Sequence, residues 1–198
     1  MHIAGGLYKE TFLVPDWNAE YGSGGRAAAA AAGQSPVTVL HAYASAFGSS
    51  GQNALERLGV ELRLQQSSHG VAFAYFHPLS TPHIEPSRSA MVQHAPIELS
   101  AEAVLRFGFL EGEAIVHANR AVYDPQTSAN PAMFAGNGSS ADELALVLNE
   151  AEARALSGKC DIREAAIALL GSGGAHVVVV KGGARGALVG GLNSPSRL

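Results

Sequence analysis

The chain has a single cysteine, Cys160, so it cannot form an internal disulfide. A lone thiol suits a reducing compartment, and Cys160 is expected to be small and buried or half-buried. Charge is also scarce: only 15% of residues are Asp, Glu, Lys or Arg, against 47% hydrophobic, which excludes an intrinsically disordered chain. Basic residues are not in excess, 13 Lys and Arg facing 17 Asp and Glu for a formal charge of −4. With a pI near 6.0, neither nucleic acid nor an anionic membrane is expected as the main partner. No run approaches the ~20 apolar residues of a membrane span, and no basic stretch followed by an apolar core opens the chain as a secretory leader would. The eight histidines include His69, His77, His83 and His94, but none shows the H-E-x-x-H spacing of a metal helix. A G-x-S-x-G nucleophile elbow is missing too. What these absences leave is a globular, cytoplasmic protein of 198 residues, long enough for one domain that buries roughly 70% of the surface its unfolded chain exposes.

Glycine and alanine are abundant and concentrate at junctions. Gly22-Ser23-Gly24-Gly25 and Arg26 lead into the alanine run Ala27 to Ala32, which reads as a glycine turn feeding a helix that Gly33 stops. Val37 to Leu40 is a short strand and Gln52 to Leu58 an amphipathic helix closed by Gly59. Val71 to Phe76 is a strand whose following Pro78, Pro82 and Pro86 forbid a central ladder position and suggest an edge hairpin or flap. Ala101 to Leu105 has helical composition, whereas Ala114 to Val116 and Ala121 to Tyr123 alternate like strands, the second ending at Asp124-Pro125. Ser140 with Glu143 has capping-box spacing. Leu146 to Leu148 is an apolar strand. Asn149 and Glu152 open a helix that Gly158 stops, and Asp161 with Glu164 opens another over Ile162 to Leu170. Val177 to Val180 reads as a strand covered on both faces, followed by a turn from Lys181 to Gly186 and a returning strand at Ala187 to Val189. Strands alternating with helices predict an α/β layered fold with a largely parallel central sheet.

Three segments can carry chemistry. The glycines before the alanine helix let backbone N–H groups approach a ligand, and a helix N-terminus favours oxygen-rich or anionic groups. The same glycines are equally explained by a turn that needs positive φ. No strand immediately precedes them, so the dinucleotide fingerprint lacks its context. Asn149-Glu150-Ala151-Glu152 is accounted for by capping alone. It also places Asn149 and Glu152 at the carboxyl end of a strand, where open α/β sheets bind ligands and where a carboxylate can hold Mg²⁺ through water. The Lys181 to Gly186 turn is either a hairpin or a flat backbone surface for a nucleotide.

Taken in order along the chain, these segments resemble the ribokinase-like (PfkB) family of carbohydrate and nucleoside kinases. Ile3 to Glu10 is similar to that family's first strand and substrate-contacting N-x-D, and Gly24-Gly25-Arg26 to its sugar-binding G-G turn. His69-Gly70-Val71-Ala72 resembles its T-G-x-A lid strand and Tyr123-Asp124-Pro125 its D-P strand end. Asn149 to Glu152 resembles its N-x-x-E motif, and Lys181-x-Gly183-x-x-Gly186 its nucleotide turn.

The resemblance implies a three-layer sandwich with a mostly parallel sheet. It further implies one domain over 1–198, with a small β lid around 8–21 and 69–86. The implied activity is transfer of the γ-phosphoryl of ATP to a hydroxyl of a sugar or nucleoside. Glu10, Gly24, Gly25 and Arg26 would hold the substrate; Asn149, Glu152, Lys181, Gly183 and Gly186 would hold ATP; Glu152 would organise Mg²⁺ indirectly. A homodimer through the lid is implied as well.

Departures from the family pattern accompany the match. Tyr8 and Glu10 stand where the family has Asn and Asp, Ala29 stands where a substrate-contacting Asn often lies, and Val39 to Gly48 lacks a G-x-D. The family's G-A-G-D, its base and anion hole, does not follow Gly190 before the sequence ends at Leu198. The expectation is therefore a fold incomplete at its C-terminus, with no catalytic base and negligible turnover on its own. Two other readings stay open: a non-catalytic sugar-binding remnant, and an unrelated nucleotide-binding protein of Rossmann type.

Overall fold

The structure is a computed structural model that describes residues 1–45, 49–127, 130–171 and 173–192. The end of the Val39 to Gly48 stretch, at 46–48, and the last six residues lie outside the described residues. The chain divides into two compact units: Met1–Glu98 with Phe109–Ala114, and Leu99–Gly108 with the residues from Ile115 on.

In the first unit, β1 (His2–Ala4) pairs in parallel with β4 (Thr38–Ser45), which pairs in parallel with β5 (Val60–Ser67). β4 lies between its two partners, and Thr38 through Tyr43 are all buried, as a strand covered on both faces must be. The connecting helices are α1 (Gly22–Ala31) and α2 (Ser50–Arg57). α1 begins at the glycines themselves, five residues before the alanine run. The Gly24 N–H donates to the Gly6 carbonyl at 3.0 Å, and a Cβ on Gly24 would sit 2.5 Å from the Gly5 carbonyl oxygen. Glycine is therefore needed here because helix and backbone touch.

A second, four-stranded sheet belongs to the same unit. Its order is β3 (Trp17–Glu20), β2 (Lys9–Phe12), β6 (Ala72–Tyr75), β7 (His83–Glu85), with β2 and β6 parallel and the two outer pairs antiparallel. β7 is an edge strand between Pro82 and Pro86, the position that proline tolerates. Alternation along β2 puts Glu10 and Phe12 on the buried face and Lys9 on the other. Phe12 meets Trp17 and Tyr75 across the strands at 5.1 and 4.7 Å.

In the second unit, β9 (Ala114–Asp124), β10 (Ser140–Asn149) and β11 (Val177–Lys181) run parallel, and β12 (Ala187–Gly191) closes the edge antiparallel. β8 (Ile97–Phe107) belongs mostly to this unit. α3 (Glu150–Ser157) and α4 (Ile162–Gly171) connect β10 to β11. Both starts carry the expected caps: the Asn149–Glu152 capping box is fully formed, and Asp161 Oδ1 accepts from the N–H groups of Arg163 and Glu164 at 2.9 and 3.0 Å. Both units are mixed α/β, each with a run of parallel strands.

Five local expectations are corrected. A strand does precede the glycines: β3 (Trp17–Glu20) ends with only Tyr21 between it and the start of α1 at Gly22, although it belongs to the four-stranded sheet and not to the parallel one. Ala101 to Leu105 lies within β8, so sheet pairing overrides helical composition. Ser140 and Glu143 belong to β10, paired with His117 and Arg120 of β9, and cap no helix. Val177 is 38% exposed while Val178 and Val180 are buried, so β11 is covered on one face only at its start. Cys160 is exposed, because it sits in the short connection between α3 and α4.

One buried pair links sequence to stability. His2 Nδ1 and His41 Nε2 share a hydrogen bond at 3.0 Å with their rings stacked. Burial, then the neighbouring His2 and Arg63, push His41 down to about 4. Its folded pKa thus lies below the unfolded value of 6.5, so the unfolded chain takes up the proton first on acidification. The stability His41 protects is intact above pH 6.5 and falls between pH 6.5 and about 4, by at most about 3 kcal/mol. His41→Gln is expected to flatten this loss, so that between pH 7 and 4.5 its melting temperature falls by less than the wild type's.

Candidate functional site

The substrate residues read from the sequence come together in the first unit. Arg26 Nη2 donates to Glu10 Oε2 at 2.6 Å and lies 5.6 Å over the Trp17 ring, while Gly24 and Gly25 form the first turn of α1. Burial raises the Glu10 pKa, opposed by the Arg26 charge and the Gly22 N–H. Glu10 and Arg26 therefore satisfy one another, while the N–H groups of Gly24 and Gly25 donate to the Gly6 and Tyr21 carbonyls.

A cavity of about 240 Å³ lies elsewhere in the unit, lined by Lys9, Glu20, Tyr43, Ser45, Gln52, His69 and Glu111 among others. Glu10, Gly24, Gly25 and Arg26 do not line it. The reason is the period of two along β2: Lys9 points to one face and Glu10 to the other. His69 and Gly70, matched in the sequence to a lid strand, do line it, as does Ala72.

Glu111 is a residue that sequence reasoning did not single out. It is only 3% exposed, and its Oε2 accepts from the Tyr8 hydroxyl at 2.7 Å and the Leu110 N–H at 3.2 Å. Burial raises its pKa, against the lowering effect of the Tyr8 hydrogen bond. Burial, then the Glu111 charge, lifts Tyr8 well above the ordinary tyrosine value. Tyr8 and Glu111 are 103 positions apart, so no spacing rule connects them; the unusual Tyr8 was the sole sequence signal. A carboxyl whose protonation is easily shifted, at the wall of a polar cavity, can accept from or donate to a ligand hydroxyl.

The second group forms at one edge of the other unit. β9, β10 and β11 are adjacent and parallel, and their last residues are Asp124, Asn149 and Lys181. Lys181 Nζ donates to Asp124 Oδ2 at 2.6 Å, reaching past the end of β10. Asn149 is level with Lys181 in the ladder. Glu152 Oε2 accepts from the Asn149 N–H at 2.8 Å and Asn149 Oδ1 from the Glu152 N–H at 2.9 Å. Among the described residues, Glu152 Oε1 and Asp124 Oδ1 are buried without a hydrogen-bond partner.

Gly183 and Gly186 have φ of 61° and 89°, and a Cβ on either would meet nothing within 4 Å. Their requirement is thus conformational, and the turn stays open to an approaching group. A cavity of about 240 Å³ beside it is lined by Gly182, Gly186, Arg163, Arg185 and Glu150, with Arg185 and Glu150 ion-paired.

These residues fit phosphates and a water-bridged divalent cation. An unpartnered, buried carboxylate oxygen on Glu152 is what an ion that keeps most of its hydration shell would use. A cage made of protein ligands alone does not fit, since no cluster of three or more His, Cys, Asp or Glu forms among the described residues. Among the same residues, no helix is long and apolar enough to cross a membrane.

The pH dependence of the Tyr8–Glu111 pair follows from its sign. Because the folded Glu111 pKa is raised, the folded state holds the proton longer, and stability is lost as pH rises through that value. Glu111→Gln is expected to flatten the decline in stability as pH rises above 4.5 in denaturant titrations. Tyr8→Phe, which removes a donor to the charged form, should cost about 1.5–3 kcal/mol at pH 8 and less at pH 4.5.

No protein-family model matches the sequence, and no curated protein matches it. Solved structures do match. A pyrophosphate-dependent kinase in the ribokinase family, complexed with a pyrophosphate analog and myo-inositol, is 17% identical with a TM-score of 0.57; the match covers 98% of this chain and 76% of that one. Ribokinase from Thermotoga maritima is 14% identical with a TM-score of 0.62, covering 100% and 76%. Adenosine kinase from Sinorhizobium meliloti is 12% identical with a TM-score of 0.68, covering 100% and 78%. The two units, their mostly parallel strands and these matches together identify the fold of this chain as ribokinase-like.

Proposed function

We propose that the chain is a phosphotransferase of the carbohydrate-kinase type, directing the γ-phosphoryl of ATP to a hydroxyl of a sugar or nucleoside. The observation that carries this reading is the edge formed by Asp124, Asn149 and Lys181. There an unpartnered Glu152 oxygen and an open glycine turn stand at the carboxyl ends of parallel strands, where open α/β sheets bind ligands. The kinases among the structural neighbours support it.

In this reading the first unit's cavity holds the acceptor, with Glu111, Lys9 and Gln52 as hydrogen-bonding groups in place of Glu10, Gly24, Gly25 and Arg26, which do not line it. The four-stranded sheet serves as the lid that excludes water. The Lys181 to Gly186 turn and Asn149 take the phosphates of ATP. Mg²⁺, when bound through water near Glu152, neutralises phosphate charge. Exposed Leu13, Trp17, Phe76 and Leu79 support a homodimer through the lid sheet. A cytoplasmic location accords with the lone exposed Cys160.

The 198 residues contain no Gly-Ala-Gly-Asp. Loss of a general base typically costs about 10²–10⁴-fold and loss of an anion-hole donor about 10²–10³-fold, so turnover depends on groups that supply these two roles. Sugar binding without catalysis is the second reading. It is favoured by the ion pairs that already engage Lys181 and Arg185.

Calorimetry with ATP and Mg²⁺, and separately with a panel of sugars and nucleosides, tests both halves. Binding of ATP that weakens about tenfold in Glu152→Gln is the expected result, and ATP consumption in a coupled assay with a binding sugar or nucleoside separates the kinase reading from sugar binding without catalysis. Failure to bind ATP together with a melting-temperature rise on adding NAD would overturn the kinase reading.

A further inference from the structure

We propose that Glu20 is a specificity-determining residue: its carboxylate fills the N-terminal end of α2 at the wall of the first unit's cavity and selects an uncharged, hydroxylated acceptor over a phosphorylated one. This rests on the reading of that cavity as the acceptor site and narrows its substrate class.

Glu20 is the last residue of β3 and lines the cavity. Its Oε2 accepts from the Gly51 N–H at 3.1 Å and the Ser50 hydroxyl at 2.9 Å. The next free N–H of the helix, that of Gln52, goes to the Ser49 hydroxyl at 3.2 Å. Exposed N–H groups at a helix start are a ready place for a phosphate. Here that place is taken by a carboxylate of the chain. A Cβ on Gly51 would collide with the Glu20 backbone carbonyl, so the end of β3 and the start of α2 are pressed together and leave no room between them. Burial alone would raise the Glu20 pKa, but the donations from Gly51 and Ser50 outweigh it and hold the group ionised.

Charge in the rest of the cavity points the same way. Glu111 adds a second carboxyl, and Lys9 is the one ammonium among the lining residues, with the His69 imidazole beside them. A phosphomonoester carries close to two negative charges and would meet like charge at Glu20. A neutral polyol meets instead two hydrogen-bond acceptors and the donors of Lys9 and Gln52. Such selection works by repelling the wrong ligand as much as by holding the right one.

The test uses the full chain and matched pairs: ribose with ribose 5-phosphate, fructose with fructose 6-phosphate, and myo-inositol with its monophosphate. The wild type should prefer the neutral member by at least about tenfold, Glu20→Gln should erase most of that preference, and Glu20→Asp should keep it. Inorganic phosphate should raise the melting temperature of Glu20→Gln and leave that of the wild type unchanged. Equal or tighter binding of the phosphorylated members by the wild type, or an unchanged ratio in Glu20→Gln, overturns the role of Glu20 while the acceptor reading stands. If no member of any pair binds either protein, the acceptor reading fails. The role of Glu20, which rests on that reading, falls with it.

Discussion

Parallel pairing of β9, β10 and β11 is the constraint on which the candidate chemistry depends. In a parallel ladder every strand ends at the same edge, so the residues that close three separated sequence segments meet there: Asp124, Asn149 and Lys181. The Lys181 and Asp124 side chains, with the hydrogen bond between them, together span the two strand spacings of about 4.8 Å each between β11 and β9. An antiparallel arrangement would send alternate ends to opposite edges and separate these groups. The open glycine turn follows directly from β11, and the capped start of α3 directly from β10. One hydrogen-bonding pattern therefore assembles the site.

The first unit works by a different rule, the alternation of a strand. β2 turns Glu10 inward to Arg26 and the aromatic rings, and Lys9 outward to the cavity. Its neighbour β3 ends on Glu20, whose carboxylate closes the start of α2. Polar groups that cannot remain buried alone are matched in pairs: Glu10 with Arg26, Tyr8 with Glu111, His2 with His41. All three pairs place titratable groups in environments that shift their protonation, the Tyr8–Glu111 pair at the cavity.

Much of this was visible in the residues. The α3 capping box, the αL glycine at 158, the Asp161 cap and the Pro-bounded edge of β7 are local, because each depends on atoms within a few positions. Ala101 to Leu105 misled because helix propensity is a weak preference that sheet pairing overrides. Ser140 and Glu143 misled because capping-box spacing also occurs by chance on a strand.

The order of elements, the caps, the glycine turn and the likeness of the segment order to sugar and nucleoside kinases were determined by the sequence alone, since all are set by neighbouring residues or their order. Folding in three dimensions decided the rest: that Tyr8 reaches Glu111, that Lys181 is held by Asp124, that Glu152 keeps one buried oxygen unpartnered, and that Glu20 caps α2. Those contacts join residues that no periodicity relates, and they exist only because strand register and burial bring distant side chains within hydrogen-bonding distance.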